Sequence, residues 1–138
     1  MAAAILWGID YTLTEKVLEK ISFTTLLSIE LFFGSIVMFI FAMLSGSYKM
    51  DLSALSSSKQ TIAFMALIIL VFTVANALIV LSIGVKNATL SGLIEISYPL
   101  FIALFSWLFF REGNVNVGTA FGGACILIGI SLIYIFNR

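Results

Sequence analysis

Three carboxylates stand in stretches that are otherwise apolar, and they are the side chains of this sequence best suited to chemistry. They are Asp10, Glu30 and Glu95. Inserting an ionisable side chain into a membrane costs at least about 2.5–3.5 kcal/mol, so such a residue is a functional candidate by default. Removal from water favours the neutral form of a carboxyl group, and a change of environment then allows it to release its proton. This cycle is the requirement for proton-coupled antiport, with Glu95 as the leading candidate.

Glu95 gains support from its neighbours. Ser91, Glu95 and Pro99 are spaced by four residues, and Tyr98 follows Glu95 by three, so a helix would place them on or beside one face. Pro99 frees a backbone carbonyl and favours a kink, which predicts a hinge beside a carboxyl and a phenol. The alternative is that the carboxyl groups are neutral and only join helices through hydrogen bonds.

The composition identifies the surroundings of these residues as lipid. The chain has 138 residues, of which 62% are hydrophobic and 10% are charged, and its mean hydropathy is +1.18. A chain of this length cannot bury so much apolar surface in a globular core. A soluble enzyme, a nucleic-acid-binding protein and a disordered region are therefore excluded. With no histidine and one cysteine, we expect no metal site and no cofactor.

The apolar runs predict an all-α, polytopic membrane bundle that forms one domain over residues 1–138. A crossing needs about 20 apolar residues, and the runs do not alternate as barrel strands do. The first run is the weakest, because Asp10 interrupts it, so four crossings are the alternative to five. We expect this run to be retained rather than cleaved as a signal. The five predicted helices are 2–18, 22–44, 61–83, 91–110 and 117–136.

The predicted helices place the polar groups in one layer. We name the membrane side that holds Met1 side one and the opposite side two. At 1.5 Å per residue, Glu30 lies about 12 Å from side two, Glu95 about 6–10 Å and Asn76 about 10 Å, with Asp10 nearer the middle. The predicted substrate and proton-coupling residues are Glu95, Glu30, Asp10, Tyr98 and Asn76, although Asn76 fits a structural role better.

The positive charges barely choose an orientation. Side one carries Lys49, Lys59 and Arg111, whereas side two carries four cations. Those four are Lys16, Lys20, Lys86 and Arg138. Orientation follows the excess of lysine and arginine in short cytoplasmic loops, and here the difference is one charge. A single weakly preferred orientation and dual topology, in which copies insert both ways, therefore both stay open.

The last predicted helix differs from the others because it is rich in glycine. Gly118, Gly122, Gly123 and Gly129 lie in a helix with no charge before Arg138. Small residues at such spacing let helix backbones approach closely in a membrane. We expect this helix to pack against another helix of the chain or of a partner, rather than to line a pathway.

The sequence resembles the EamA domain of the drug/metabolite transporter superfamily over essentially its whole length, as a single five-helix unit. The likeness rests on the opening Ala4-Ile5-Leu6-Trp7-Gly8, on Pro99, on Phe110-Arg111-Glu112, and on the glycines of the last helix. The resemblance implies a secondary carrier of the cell membrane, mostly an exporter of amino acids, other metabolites or drugs. Most members carry two inverted units, whereas this chain has one.

The resemblance also bears on two carboxylates. In size the chain is similar to the small multidrug resistance proteins, which act as antiparallel dimers with an essential carboxylate in the first helix. Asp10 occupies a similar place, although the surrounding sequence does not match closely. Many EamA units have an arginine early in helix two, where this chain has Glu30. This departure puts the charge preference for substrates in doubt. Carboxylates without an intramembrane lysine or arginine weakly favour a cationic or zwitterionic substrate.

Two hypotheses follow from the sequence. The first is a small secondary transporter, proton-coupled, that works as a homodimer, parallel or antiparallel, or with a paired second unit. The second is a non-transporting membrane subunit or half-transporter that packs against a partner membrane protein. A membrane enzyme has no support, because the sequence offers no metal cluster and no nucleophile–base pair. The expected partners are the lipid bilayer, a small-molecule substrate and protons, and not nucleic acid.

Overall fold

The computed structural model describes residues 1–111 and 116–136, and this part of the chain forms α-helices without strands. The predicted all-α membrane bundle is confirmed. The helices are α1 (Ala2–Leu18), α2 (Phe23–Leu44), α3 (Tyr48–Ser57), α4 (Lys59–Val85), α5 (Ala88–Glu95), α6 (Tyr98–Phe105) and α7 (Val117–Phe136), with a π-helical turn at Ser106–Phe110 after α6. Glu112 to Asn114 of the predicted last turn, and Arg138, lie outside the described residues.

Four helical stretches are long and apolar enough to cross a membrane. They are Phe23–Leu44, Lys59–Val85, Ala88–Phe110 and Val117–Phe136. The helix α1 has the predicted bounds, but its 17 residues span only about 26 Å. It nevertheless packs against α4 and α5. Four strong spans and one shorter helix therefore match the five predicted segments.

Polar side chains fix where several helices begin. The hydroxyl oxygens of Ser22 and Ser58 accept hydrogen bonds from the backbone N–H groups of Thr25 and Thr61, each at 3.3 Å. The side-chain oxygen of Asn87 accepts from the backbone N–H of Leu90 at 2.7 Å. Such caps satisfy N–H groups that have no partner inside the helix. They explain why α4 and α5 begin before the predicted positions.

The serines in the connection between α2 and α4 predict an irregular polar loop. The structure instead has a helix there. Residues Tyr48–Ser57 form α3, and none of them is buried. The hydroxyl groups of Ser56 and Ser57 donate to the carbonyl oxygens of Ser53 and Ala54, so these serines close the last turn rather than break it. The connection is a surface helix on side one.

The predicted helix over 91–110 is interrupted. The helix α5 ends at Glu95, a turn follows at Ile96 and Ser97, and Pro99 lies in the first turn of α6. Proline has no N–H, and its ring clashes with the carbonyl four residues earlier, here that of Glu95. The kink expected at Pro99 thus takes the form of a break just before it. Whether the break acts as a hinge stays a prediction.

The packed core lies at the end of the bundle near side two, which we call the closed end. There α1 and α4 finish, and α2 and α5 begin. The residues buried there come from all four helices. They are Tyr11, Thr14, Leu26, Leu27, Val80, Ile83, Ala88 and Ser91. Most of the other large apolar side chains are exposed, as expected for a protein whose outer surface faces lipid.

One glycine of α7 makes a close approach within the chain. Gly123 is buried, and a Cβ atom there would overlap the side chain of Leu100 in α6. At Gly122 and Gly129 a Cβ would meet no other atom within 4 Å, and at Gly118 it would meet only the side chain of Asn116. The packing role of these three glycines therefore stays a prediction.

Candidate functional site

A cavity of about 750 Å³ lies between α1, α2 and α4. Each of the three helices contributes apolar residues together with at least one polar side chain. The lining residues are Ala3, Leu6, Trp7, Asp10, Tyr11 and Thr14 from α1, Leu27, Glu30, Leu31, Gly34, Ser35 and Met38 from α2, and Phe72, Asn76, Ile79, Val80 and Ile83 from α4. The volume is that of a site for a small organic molecule.

Three of the five predicted site residues meet in this cavity. From the observed helix ends, Glu30 lies about 10 Å from the start of α2, Asp10 about 12 Å from the end of α1, and Asn76 about 14 Å from the end of α4. Because all three ends are at side two, these side chains form one layer near the middle of the bilayer. The sequence predicts a layer of Glu30, Glu95 and Asn76 with Asp10 nearer the middle, whereas in the cavity it is Asp10, and not Glu95, that lies with Glu30 and Asn76.

The cavity has an acidic character. The carboxyl groups of Asp10 and Glu30 both line it, from α1 and α2. No lysine or arginine is among the described residues that line the cavity. The ion pair between Lys16 and Glu19, at 2.8 Å, lies at the exposed end of α1 instead. The cavity therefore offers negative charge to a ligand, and a cation or a proton can neutralise it.

One amide donor of Asn76 is bound within its own helix. Its amide nitrogen donates a hydrogen bond of 2.8 Å to the carbonyl oxygen of Phe72, one turn earlier in α4. That donor is therefore committed to its own helix. This geometry fits the structural role that the sequence favours for Asn76.

Aromatic rings form part of the cavity wall. Trp7 and Tyr11 are one helical turn apart, and their rings meet edge to face with centroids 5.5 Å apart. Phe72 lines the cavity from α4. Aromatic faces attract organic cations, above all where water is excluded. The rings and the carboxylates thus recognise the same kind of ligand.

The cavity is closed towards side two and leads towards side one. Thr14 is 4% exposed and Ile83 is 2% exposed, and both belong to the lining and to the closed end. At the other end, Ala3 and Leu6 also line the cavity and are exposed. The cavity therefore extends from the closed end towards the side that holds Met1.

Glu95 lies outside the cavity lining but is connected to it through one residue. The hydroxyl group of Tyr11 donates a hydrogen bond to the Glu95 carboxylate. Tyr11 lines the cavity and is only 8% exposed. Sequence reasoning missed Tyr11, although its spacing from Trp7 and its position next to Asp10 were available signals.

Tyr98 lies apart from these residues. It borders a separate groove, which runs along α6 and the π-helical turn and is otherwise lined mainly by phenylalanines such as Phe101 and Phe105. The predicted common face of Glu95 and Tyr98 assumed one continuous helix, and the break at Ile96 and Ser97 interrupts it. The structure thus does not bring Tyr98 to Asp10 and Glu30.

Comparison with known proteins identifies the family. No curated protein and no solved structure matches the chain. The model of the EamA-like transporter family matches residues 1–135, which is nearly the whole chain. The members of this family are transporters rather than enzymes. The predictions of a multi-pass membrane protein and of a role in transport are confirmed. The chain belongs to the EamA-like transporter family of the drug/metabolite transporter superfamily.

Proposed function

We propose that this chain is a proton-coupled secondary transporter that exports small organic metabolites or drugs through the cavity between α1, α2 and α4. The observation that carries the proposal is the pair of carboxylates, Asp10 and Glu30, in a cavity of about 750 Å³ within a membrane domain. Ionisable residues inside a membrane mark substrate pathways and proton relays. Glu95, the leading candidate from sequence, takes part through Tyr11 rather than by direct contact with substrate.

The lining favours a substrate with a positive charge and an apolar body. Asp10 and Glu30 supply negative charge, and Trp7 and Phe72 supply aromatic faces. An amine or a zwitterionic amino acid would bind to both kinds of group, whereas a carboxylic acid would be repelled. This preference agrees with the presence of Glu30 where many EamA units have an arginine.

The same carboxylates provide the coupling to protons. A carboxylate in the membrane binds either a proton or a cation, and the arrival of one displaces the other. A proton and a cationic substrate therefore compete for Asp10 and Glu30. Competition of this kind exchanges one for the other across the membrane.

We further propose that the working unit is a dimer of five-helix units. Asp10 is exposed in the single chain although it lies near the middle of the bilayer. A charged side chain left facing lipid at that depth is costly. A second copy, or a paired second unit, would cover the open side of the cavity and complete the site at the interface, as carriers with inverted repeats do.

The test is proton movement in liposomes that contain the purified protein. A pH gradient is imposed, an entrapped pH-sensitive dye is followed, and compounds are added one at a time: quaternary amines, aromatic amines, amino acids and carboxylic acids. We expect amines or amino acids to dissipate the gradient and carboxylic acids to leave it unchanged. A gradient that no compound in this panel dissipates would favour the non-transporting subunit instead.

A further inference from the structure

Three polar contacts hold α5 against α1 and α4 at the closed end. The backbone N–H of Ala88 donates to the Glu15 carboxylate at 2.7 Å. The hydroxyl groups of Ser82 and Ser91 are 2.8 Å apart, and Ser91 is 1% exposed. The third contact is the hydrogen bond from Tyr11 to Glu95. It lies at the far end of α5 from the other two.

The helix α5 is a short element that could move on its own. It has eight residues, and the turn at Ile96 and Ser97 separates it from α6. Because Pro99 has no N–H, the helical hydrogen bond to the Glu95 carbonyl is missing at this point. None of the described cavity-lining residues comes from α5. A movement of α5 would therefore open the closed end without dismantling the wall that carries Asp10 and Glu30.

Tyr11 is the residue that connects the two regions. Its ring lines the cavity next to Trp7, and its hydroxyl group is bonded to the last residue of α5. The ring also packs on α5, because a Cβ atom at Gly92 would lie 3.5 Å from it. Asp10 and Tyr11 both line the cavity, so a ligand that pairs with Asp10 would lie beside the Tyr11 ring.

We propose that the hydrogen bond between Tyr11 and Glu95 is a latch that keeps the closed end shut, and that substrate in the cavity releases it by displacing the Tyr11 ring. Tyr11 and Glu95 are then positioning residues, which act through α5. The proposal rests on the function proposed above, because it describes how the transport cavity gains access to side two.

The substitution Tyr11→Phe tests the latch because it removes one hydroxyl group and keeps the ring. A hydrogen bond to a charged acceptor has a strength that shifts an equilibrium by about tenfold or more. Loss of the latch should therefore raise the open fraction of the closed end about tenfold. The matched control is Tyr48→Phe, because Tyr48 lies on the exposed surface of α3.

The measurement is thiol labelling in liposomes without substrate. Cys125 is replaced by alanine, Ser91→Cys supplies a thiol within the closed end, and a water-soluble thiol reagent is added from both sides. We expect Tyr11→Phe to raise the labelling rate of Ser91→Cys about tenfold, and Tyr48→Phe to leave it unchanged. A thiol at Ser35, in the accessible part of the cavity, should label equally in all variants.

A double-mutant cycle separates the latch from general loosening of the fold. Glu95→Ala should raise the rate as much as Tyr11→Phe does, and the two together should add no more, because both remove one bond. Glu95→Gln keeps an oxygen acceptor, so its labelling rate should lie between that of the unchanged latch and that of Glu95→Ala. An unchanged rate in Tyr11→Phe, or additive effects in the double variant, would overturn the latch. Since labelling requires neither substrate nor flux, this failure is distinguishable from a wild-type protein that does not transport.

Discussion

The Glu15 carboxylate accepts a hydrogen bond of 2.7 Å from the backbone N–H of Ala88, which is the first residue of α5. The bond joins the end of α1 to the start of a helix that is distant in sequence. A carboxylate at a helix N-terminus satisfies a free N–H group and interacts favourably with the helix dipole. Glu15 is therefore a structural carboxylate, in contrast to Asp10 and Glu30 in the cavity.

The contact between Glu15 and Ala88 predicts a loss of stability in Glu15→Ala. The variant leaves a half-buried N–H without its partner, which costs about 1–3 kcal/mol. Thermal unfolding of the purified protein in detergent measures the loss. The matched control is Glu19→Ala, whose carboxylate pairs with Lys16 on an exposed surface, where screening by water leaves an ion pair little effect on stability. Equal losses in the two variants would contradict the role of Glu15.

Much of the fold could be predicted from the apolar runs, because lipid requires backbone groups to be satisfied within helices. The bounds of α1 and α7 agree with the predicted 2–18 and 117–136. The surface helix α3 escaped prediction because its serines, typical of loops, bond back to their own turn. The break before Pro99 could be placed only approximately, since a kink and a full interruption have the same sequence signal.

The candidate site was less predictable than the fold. Depth along a helix follows from counting residues, and so the similar depths of Glu30 and Asn76 could be predicted, although the sequence placed Glu95 in their layer and Asp10 nearer the middle. Rotation about the helix axis depends on packing, which apolar spans with little amphipathic character do not encode. The sequence could therefore not show that Glu95 lies outside the cavity. Nor could it single out Tyr11, a residue type common in membrane helices, as the residue that connects Glu95 to the cavity.

The packing of α7 predicts opposite effects for two neighbouring glycines. Gly123→Ala would force the Leu100 side chain to move, and such overpacking costs about 1–3 kcal/mol. Gly122→Ala meets no atom within 4 Å, and alanine favours the helix by up to about 1 kcal/mol. In thermal unfolding experiments in detergent, only Gly123→Ala should have a lower unfolding midpoint than the wild type. If a second substitution, Leu100→Ala, restores the unfolding midpoint of Gly123→Ala, the loss of stability arises from this contact.

A bulky side chain in the cavity should block transport without unfolding the protein. Gly34 lines the cavity, and a Cβ atom there would meet no atom within 4 Å, so a side chain at this position starts in open space and Gly34→Phe adds bulk to the cavity wall. We expect flux to fall at least about tenfold while the unfolding temperature changes little, as for other substitutions outside a packed core. Gly8→Phe is the control, because Gly8 has similar space but does not line the cavity. Unimpaired flux in Gly34→Phe would place the pathway elsewhere.

The nearly balanced cations leave open whether the chain inserts in one orientation or in both, and dual topology predicts a specific labelling pattern. In a background where Cys125 is alanine, single cysteines at Ser57 and Thr89 mark side one and side two. Thr89 is preferred to the adjacent Asn87, whose side chain caps α5. A membrane-impermeant reagent on intact cells should label each position in part. Labelling at one position alone would contradict dual topology and favour a parallel homodimer or a second chain.

The most direct test of the central claim removes the two cavity carboxylates. Asp10→Asn and Glu30→Gln keep the size of each side chain and abolish its charge. With a compound that dissipates the pH gradient across wild-type liposomes, we expect each variant to slow proton movement at least about tenfold, because each removes an interaction with a charged group. The controls Asp51→Asn and Glu19→Gln, on exposed surfaces, should match the wild type. Wild-type rates in the combined Asp10→Asn, Glu30→Gln variant would contradict transport through this cavity.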